Sequence, residues 1–452
     1  MKFNEGVIIE NIINYIKRDW DRFLLICLGV SLPFDRIPSF SVFSISVRFS
    51  LIFSALIILR SAYLLFSKKI NLKLTVPDKF LLGFVIWLAI IIPVSLNLTR
   101  ALSVFIFTLF AILLAFSISI IFKKEYFKPL ATALFVVTFV VVGFGIFQYF
   151  GDIFNLPGSV TGLRERYSWS VFGFPRIQSF SLEPLYMAAF LLLPYSLAAT
   201  QLLLKDRIYS SRLLLSVIFL SSFAIFLSVS RGGIYAMILS SIVVATYIVV
   251  SKKGELKKVL QLLSMLALSF LLSLVLINYL NKTPSAFTQG KKGTSAFVEQ
   301  IQKTSIGDGD ERSQARNKAL ALLNENKSSY VVGIGPGQYG PYVQNNQQVD
   351  YGWTIVNNMP LEILLETGLV GLGLISLFLI SLFVASWRTL SKNKTSIINF
   401  VIVGCWMYLI SQAVQVQTYS TLYILYLWLP IGVLMAICRQ DLLKNKHVNK
   451  KK

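Results

Sequence analysis

The chain has 452 residues, of which 55% are hydrophobic and only 14% are charged, and its mean hydropathy is +0.68. This balance excludes a soluble multi-domain protein, because a soluble domain carries far more polar surface. The formal net charge of +22 would indicate nucleic-acid binding in a soluble protein. In an apolar chain the distribution of the basic residues has to be considered first.

The N-terminal segment, residues 1–22, combines apolar and basic side chains at helical spacing and contains no apolar core typical of a cleavable signal peptide. Its apolar positions include Ile9, Ile12 and Ile16, and its basic positions include Lys17 and Arg18. This pattern predicts an amphipathic helix that lies in the membrane interface.

Twelve apolar runs follow, and a run of about 17 to 25 residues can cross a hydrocarbon core of about 30 Å as a helix. We therefore predict an all-α polytopic membrane protein with about twelve transmembrane helices. The first run is short and contains Pro33, so eleven spans, or a re-entrant first segment, is the alternative. Helices 1–5 are predicted within 23–150, helices 6–9 within 185–280 and helices 10–12 within 361–438, as runs 23–35, 41–66, 80–96, 101–122, 129–150, 185–204, 213–230, 232–250, 259–280, 361–387, 396–416 and 420–438.

Lysine and arginine are concentrated in alternate connections and in the tail, residues 439–452. By the positive-inside rule these segments are cytoplasmic, which places both termini inside and agrees with an even number of spans. The net charge is thereby explained by topology, and no nucleic-acid partner is expected. The basic connections contain Lys17, Arg18, Arg22, Lys68, Lys69, Lys73, Lys79, Lys123, Lys124, Lys128, Lys205, Arg207, Arg212, Lys252, Lys253, Lys257, Lys258, Arg388, Lys392 and Lys394.

Two connections are long, residues 151–184 and 281–360, and the topology places both on the outer face. Loops on a rigid scaffold are frequent sites of function. Their arginines depart from the positive-inside rule, and the planar guanidinium group suits phosphate oxygens. We expect a phosphate-bearing substrate, with solvated charges or lipid-headgroup contacts as the alternative. The arginines are Arg164, Arg166 and Arg176 in the first loop and Arg312 and Arg316 in the second.

Arg312 and Arg316 stand four residues apart in a segment with the pattern of an amphipathic helix. Two guanidinium groups on one helix face are suited to a diphosphate. The predicted apolar stripe of this helix consists of Ala315, Ala319, Leu322 and Leu323.

Two further arginines lie near the predicted outer surface. Arg231 belongs to an SRGG sequence at an outer turn, where the glycines allow a tight turn. Arg48 lies inside the second predicted span, about two turns from its outer end, where ionisable groups usually face a cavity or a partner. A snorkelling side chain is the alternative for Arg231.

Acidic residues are few near the outer loops. Glu183 stands at the end of the first loop, immediately before Pro184, and Glu362 and Glu366 share a face on the first turns of the tenth span. Tyr167 and Trp169 in the first loop are candidates for stacking on sugar rings, although membrane-interface anchoring explains them equally well.

Several common motifs are rejected. The GPGQYG sequence at residues 335–340 fits a dinucleotide-binding pattern, but it lies in an outer loop without a βαβ context. His447 in the basic tail is the only histidine, which excludes a histidine triad or histidine metal site outside the cell. We therefore predict no metal, although a carboxylate site stays open, and no disulfide framework.

The order of these features resembles the O-antigen ligase and polymerase superfamily. A basic helix, VVGIGPGQYG and NNMPLEILLETGLVGLG follow one another in the second loop, and they map the family motif onto Arg312, Leu320 and the glycines at 333, 335 and 337. FPRIQSFSLEP is similar to the first-loop motif of the polymerase branch and maps Arg176 and Glu183. SRGG maps Arg231. Family ligases carry a histidine where this chain has Asn357, which helix capping before Pro360 also explains.

The resemblance implies transfer of a glycan from a polyprenyl diphosphate carrier to a sugar hydroxyl of a second lipid-linked repeat unit, without a cofactor. Arg312, Arg316, Arg176 and Arg231 would stabilise the leaving diphosphate, with Arg164, Arg166 and Arg48 as further binding candidates. Glu183 would be the base, with Glu362 behind it, and Asn357, Glu362, Tyr167 and Trp169 would orient the acceptor glycan.

The same resemblance implies a bacterial inner-membrane protein whose active site faces the extracytoplasmic side. Its partners would be membrane lipids and the lipid-linked oligosaccharide, with a chain-length regulator and a flippase as candidate protein partners. Two alternatives stay open. One is ligase-type transfer to lipid A core or protein, and the other is a lipid-linked oligosaccharide flippase, for which internal repeats and broken midplane helices would be expected.

Overall fold

A computed structural model describes residues 19–37, 40–42, 45–70, 73–251, 254–280, 311–325, 327–344, 354–392 and 396–449. The described chain is a bundle of helices with one short two-stranded hairpin, which confirms the predicted all-α polytopic class. Most of the predicted interfacial helix, residues 1–18, lies outside the described residues.

In chain order the elements are α1 (Trp20–Ser31), β1 (Phe40–Val42), β2 (Ile45–Val47), α2 (Phe49–Phe66), α3 (Val76–Ile90), α4 (Leu98–Ile121), α5 (Phe127–Ile153), α6 (Gly158–Thr161), α7 (Trp169–Phe172), α8 (Pro184–Leu203), α9 (Ser211–Leu227), α10 (Arg231–Val250), α11 (Leu256–Leu280), α12 (Glu311–Glu325), α13 (Ser329–Val332), α14 (Tyr339–Val343), α15 (Met359–Lys392), α16 (Ser396–Gln415) and α17 (Leu425–Asn449). Short 3₁₀ turns at Ile92–Val94, Lys124–Tyr126 and Glu165–Tyr167 join some of them.

Each of the twelve predicted apolar runs overlaps one helix. These helices are α1 to α5, α8 to α11 and α15 to α17. Among the described residues, nine helices are long and apolar enough to cross a membrane. Helix α1 has 12 residues and α9 has 17, which makes them shorter than those nine. The number of spans therefore stays a prediction. The nine are Phe49–Phe66, Val76–Val94, Leu98–Ile121, Lys124–Ile153, Pro184–Leu203, Arg231–Val250, Leu256–Tyr279, Met359–Lys392 and Ile397–Gln415.

Helix α8 lies at the centre of the bundle. It packs against α5, α9, α10 and α16, and 89% of its 18-residue apolar stretch is buried. A helix that is apolar on all sides is stable only when it is covered on all sides, and the sequence PLYMAAFLLLPYSLAA fits that position. In contrast, α2, α11 and α15 bury less than a third of the residues in their 18-residue apolar stretches, and they expose large aliphatic side chains, as lipid-facing helices do.

The helix starts follow from local sequence. At α3, Thr75 and Asp78 form a capping box, in which Asp78 Oδ2 accepts the Thr75 N–H at 2.6 Å. The same oxygen lies 3.0 Å from Nη2 of Arg439, so a buried ion pair also joins α3 to α17. At α4, the Oδ1 of Asn97 accepts the N–H of Arg100 at 3.0 Å.

The predicted second span starts too early. We expected a helix over 41–66, but residues 40–42 and 45–47 form the paired strands β1 and β2, and α2 begins at Phe49. The physical reason is the sequence SFSVFSISV, in which serines alternate with large apolar residues and so follow the period of a strand. Arg48 is therefore the residue before α2 with an extended backbone, and its predicted position two turns inside a span is wrong.

The described parts of both long loops lie at the same end of the bundle. Asn97 and Gln338 exchange two hydrogen bonds, which ties the start of α4 to the second loop. Arg176 of the first loop contacts the turn before α10. We call this end, formed by residues 32–37, 40–42, 45–48, 154–183, 228–231, 311–325, 327–344 and 354–358, the loop face. That it is extracytoplasmic stays a prediction.

Candidate functional site at the loop face

One buried glutamine holds the first loop against the bundle. Gln148, near the end of α5, donates through Nε2 to the carbonyl oxygens of Thr161 and Ser179, both at 3.1 Å. Its Oε1 accepts the backbone N–H groups of Ser179 at 2.7 Å and Gln178 at 3.3 Å. Since these four bonds use the full capacity of an amide, a single side chain fixes the loop at two points. The residues between those points are positioned by this closure.

Arg176 is the best anchored arginine of that loop. Its Nε donates to the carbonyl of Ser228 at 3.2 Å and its Nη2 donates to the carbonyl of Val229 at 3.3 Å. Its guanidinium carbon lies 4.9 Å from the ring centroid of Phe172 and 5.7 Å from that of Tyr167. These contacts fix the side chain without neutralising it, because carbonyl dipoles and aromatic faces favour the cation.

Arg176 lies close enough to Arg231 and Arg312 for their charges to affect its own, and the three arginines belong to three separate segments of the chain. Burial lowers the pKa of Arg176 to about 10; the neighbouring Tyr167 raises it, and the charges of Arg312 and Arg231 lower it further. Arg312 lies in the second loop and Arg231 starts α10, so the structure groups the three arginines that the sequence motifs mapped. Cations held together in this way form a strong anion site.

Helix α12 carries Arg312 and Arg316 and has the predicted apolar stripe. Ala319 and Leu323 are fully buried, and Ala315 and Leu322 are partly buried against the same cluster. The cluster consists of Ile334, Tyr339, Val356 and Leu365, and the Tyr339 hydroxyl donates to the carbonyl of Ala315 at 2.9 Å.

The two arginines of α12 differ in their surroundings. Arg312 lies close enough to Arg176 to affect its charge equilibrium. Arg316 donates from Nη2 to the Oγ of Ser313 on its own helix, at 3.2 Å. The geometry therefore associates Arg312 more directly than Arg316 with the arginine group.

Glu183 is the acidic residue next to this group. Its Oε1 lies 2.7 Å from Nη2 of Arg166, and the two side chains are 28% and 55% exposed. Its charge also acts on Arg176. Glu183 directly precedes Pro184, and no side-chain bond caps α8, so its carboxylate is available to face the loop. Its role as the base stays a prediction.

The aromatic residues of the first loop occupy different positions. Tyr167 is only 8% exposed, and its ring lies 4.9 Å from the guanidinium carbon of Arg166. Trp169 is partly exposed and starts α7, where its backbone N–H donates to Asp152 Oδ2 at 2.6 Å. Of the two, Trp169 leaves more ring surface accessible for a sugar.

Arg164 and Arg48 lie in a neighbouring group rather than beside Arg176. Burial lowers the pKa of Arg36, and the charge of the nearby Arg164 lowers it further. Nη1 of Arg48 lies 3.5 Å from Oδ1 of Asp35. Both contacts involve the connection between α1 and β1, which no motif had identified.

The glycine-rich turn of the second loop has a structural role. The Glu366 carboxylate accepts the N–H groups of Gly337 at 2.7 Å and Tyr339 at 3.3 Å, and it also bonds the backbone of Gln338. A row of N–H groups of this kind binds anions, and here the anion is a side chain of the protein itself. This explains how GPGQYG resembles a phosphate-binding sequence without a nucleotide.

A kink at Gly368 makes that arrangement possible. Gly368 has φ +66° inside α15, and the kink leaves the carbonyls of Leu365 and Glu366 to accept the N–H groups of Ile334 and Gly335, both at 3.0 Å. A Cβ at Gly368 would lie 2.1 Å from the carbonyl oxygen of Val331. Only glycine permits this approach of two backbones.

Glu362 and the two asparagines also make local contacts. Glu362 Oε2 accepts the N–H of Val356 at 2.9 Å. Asn358 caps α15, since its Oδ1 accepts the N–H of Leu361 at 3.0 Å. Asn357 has a left-handed backbone with φ +59°, and its Nδ2 donates to the carbonyl of Ile355 at 3.4 Å. Their predicted contact with the acceptor glycan stays untested beside these structural roles.

Sequence reasoning missed Asp35, Arg36 and Arg100. Arg100 donates from Nη2 to the carbonyl of Thr354 at 3.1 Å and so ties α4 to the second loop. Each of the three is an isolated charge at the end of an apolar run, and the sequence contains no pattern that relates them to a loop more than 100 residues away. An ionisable group beside a predicted outer span end was the available signal.

Comparison with known proteins adds one finding. Residues 216–376 match a family model described as O-Antigen ligase. The match extends from α9 through α12 to the first half of α15 and so contains Arg231, Arg312, Arg316 and the glycine-rich turn. No curated protein matches the chain.

Proposed function

The chain belongs to the O-antigen ligase and polymerase superfamily of membrane glycan-transferring enzymes, and we propose that it is the polymerase of a surface polysaccharide. In this proposal it transfers a glycan from a polyprenyl diphosphate to a sugar hydroxyl of a second lipid-linked repeat unit. The protein acts in the bacterial inner membrane with its loop face outside, and neither metal nor cofactor takes part.

The observation that carries the proposal is the grouping of Arg176, Arg231 and Arg312 from three separate segments. A diphosphate leaves as a stable anion, so its departure depends mainly on fixed cations. Partly buried guanidinium groups at fixed positions supply that charge with little reorganisation. Glu183 lies beside the group, where a carboxylate can orient an acceptor hydroxyl.

Polymerase is favoured over ligase by the state of Asn357. Its backbone is left-handed and its side chain bonds its own loop, so it has the surroundings of a structural residue where family ligases carry their histidine. An amide side chain also cannot accept a proton from a hydroxyl as an imidazole does.

Deletion of the gene tests the proposal against its alternatives. For a polymerase, the surface glycans of the deletion strain end after a single repeat unit. Long chains that stay on the carrier would instead identify a ligase, and intermediates trapped inside the cell would identify a flippase.

Complementation then tests the arginine group. We expect Arg312→Ala to restore normal amounts of protein in the membrane and to leave the single-repeat glycans of the deletion. Wild-type polymer from this variant would contradict the proposed diphosphate site. Lys318→Ala is the matched control, because Lys318 is an exposed cation on the same helix.

A further inference from the structure

The connection between α1 and β1 packs directly against the first loop. The N–H of Arg36 donates to the carbonyl of Phe180 at 3.0 Å, and the rings of Phe34 and Phe180 have centroids 4.8 Å apart. The Arg36 guanidinium donates to the carbonyl of Gly162 as well. This connection is therefore fixed to the loop at two points, one of which is shortly before Glu183.

Asp35 lies in this connection between those contacts. Its side chain is 16% exposed, and its Oδ1 lies 3.5 Å from Nη1 of Arg48. Tyr186, on the first turn of α8, is within electrostatic range of both Asp35 and Glu183. The two carboxyl groups therefore flank the same tyrosine, although they are about 150 positions apart in the sequence.

The two carboxyl groups differ in their suitability as a base. Glu183 is held in a close ion pair, with its Oε1 2.7 Å from Nη2 of Arg166. Asp35 has a more distant cation and less exposure. Burial raises the pKa of Asp35 to about 6, while the charge of Arg48 lowers it. A base in this range is ionised at neutral pH and still accepts a proton readily.

We propose that Asp35 is the proton acceptor of the glycan transfer, an inference that rests on the proposed function. In this step the acceptor hydroxyl oxygen forms a bond to the anomeric carbon of the donor, and the bond from that carbon to the diphosphate oxygen breaks. The diphosphate leaves with the electron pair, and the hydroxyl proton passes to the Asp35 carboxylate. Arg48 orients that carboxylate.

Four groups near Asp35 in the described chain bear on its pH dependence. They are Arg48 before α2, Arg36 as its neighbour in the same connection, Tyr186 at the start of α8 and Tyr426 on α17. Arginine and tyrosine ordinarily titrate far above neutral pH, so a change of rate near pH 6 reports a carboxyl group.

The test measures polymer formation by the full-length protein in proteoliposomes, with a polyprenyl-diphosphate-linked repeat unit as substrate. Asp35→Asn is expected to lower kcat by about 100-fold or more, as loss of a general base does. The wild-type rate falls as the pH drops through about 6, because Asp35 becomes protonated. The residual rate of Asp35→Asn lacks that dependence, and Asp35→Glu recovers part of the rate.

A second ion pair, which joins α1 to α2, supplies the control. Asp21 Oδ1 lies 2.7 Å from Nε of Arg60, and Asp21 is 15% exposed, which is close to the value for Asp35. This pair lies at the other end of α1 and α2, so Asp21→Asn removes a similar carboxylate far from the loop face. We expect Asp21→Asn to retain the wild-type rate per folded molecule and its pH dependence.

The outcomes separate this inference from the proposed function. A rate of Asp35→Asn within about twofold of the wild type, or an unchanged acid limb, overturns the role of Asp35, while Arg312→Ala stays inactive. If the wild type and Asp21→Asn form no polymer from this substrate, the proposed polymerase function itself is overturned. Equal retention times in size-exclusion chromatography confirm that each variant is folded.

Discussion

A glutamate lies near the C-terminal end of each long loop, Glu183 immediately before α8 and Glu366 within α15, but the two carboxylates have different hydrogen-bonding partners. Glu366, beside the second loop, is 8% exposed and accepts backbone N–H groups of the glycine-rich turn. Glu183, beside the first loop, is 28% exposed and pairs with Arg166, which is itself 55% exposed. A backbone N–H group has a fixed position and stays bonded to the carboxylate, whereas an exposed arginine side chain can rotate away from it.

This difference separates structural from functional acids at the loop face. The second loop is positioned by its glutamate, its glycines and the kink at Gly368. The first loop is positioned by Gln148, which leaves Glu183 uncommitted to the backbone. Substitutions at the glycine-rich turn and at Glu366 should therefore reduce stability, and a substitution at Glu183 should reduce activity.

The largest loss of stability is expected for Gly335→Ala. Gly335 has φ +100°, and a Cβ there would lie 2.1 Å from the Oγ of Ser95. Strain and overpacking together should destabilise the protein by about 3 kcal/mol or more. Thermal unfolding in detergent measures this change. Gly373→Ala is the control, because no atom lies within 4 Å of a Cβ at that position; an equal loss in both variants would contradict the role of the turn.

Glu366→Gln should have the next largest effect on stability. A glutamine keeps the shape but has one acceptor oxygen, so one N–H of the turn loses its partner and the destabilisation is about 1–3 kcal/mol. The melting temperature should fall in the purified protein before any substrate is added. An unchanged melting temperature would show that the carboxylate does not hold the turn.

Glu183→Gln should affect stability least. It removes a partly exposed ion pair, whose contribution to folding is below about 1 kcal/mol. The rate of polymer formation should fall by about tenfold, equivalent to about 1.4 kcal/mol, because the acceptor loses an orienting group. Measuring both quantities in one preparation gives the comparison with Glu366→Gln, and a large loss of melting temperature with full activity would reverse our assignment.

Much of the helical architecture could be predicted from the sequence, because apolar runs bounded by charges define helices locally. The stripe of α12 was also readable from its spacing. The early start predicted for α2 was wrong because overall hydropathy was followed over 41–48 and the alternation of serines was not. Arg48 was consequently placed inside the membrane.

The site was only partly predictable. Arg176, Arg231 and Arg312 were identified individually, but their grouping depends on how the fold arranges the first loop, the start of α10 and α12, which no local pattern records. Asp35 was missed for the same reason, since its neighbour Tyr186 comes from another part of the chain. Glu362 and Glu366 on α15 were interpreted as features of the site. Their hydrogen-bond partners are backbone N–H groups, and contacts with the backbone cannot be read from a sequence.

Binding of the donor lipid tests the central claim most directly. A short-chain polyprenyl diphosphate sugar is titrated against the purified protein and against Arg312→Gln, Arg316→Gln and the control Lys318→Gln. Loss of a charge-assisted bond of about 1.5–3 kcal/mol should raise the Kd of Arg312→Gln by about 10- to 100-fold. Arg316→Gln should show a smaller increase, and Lys318→Gln should match the wild type. Equal Kd values for Arg312→Gln and the wild type would contradict a diphosphate site at the arginine group.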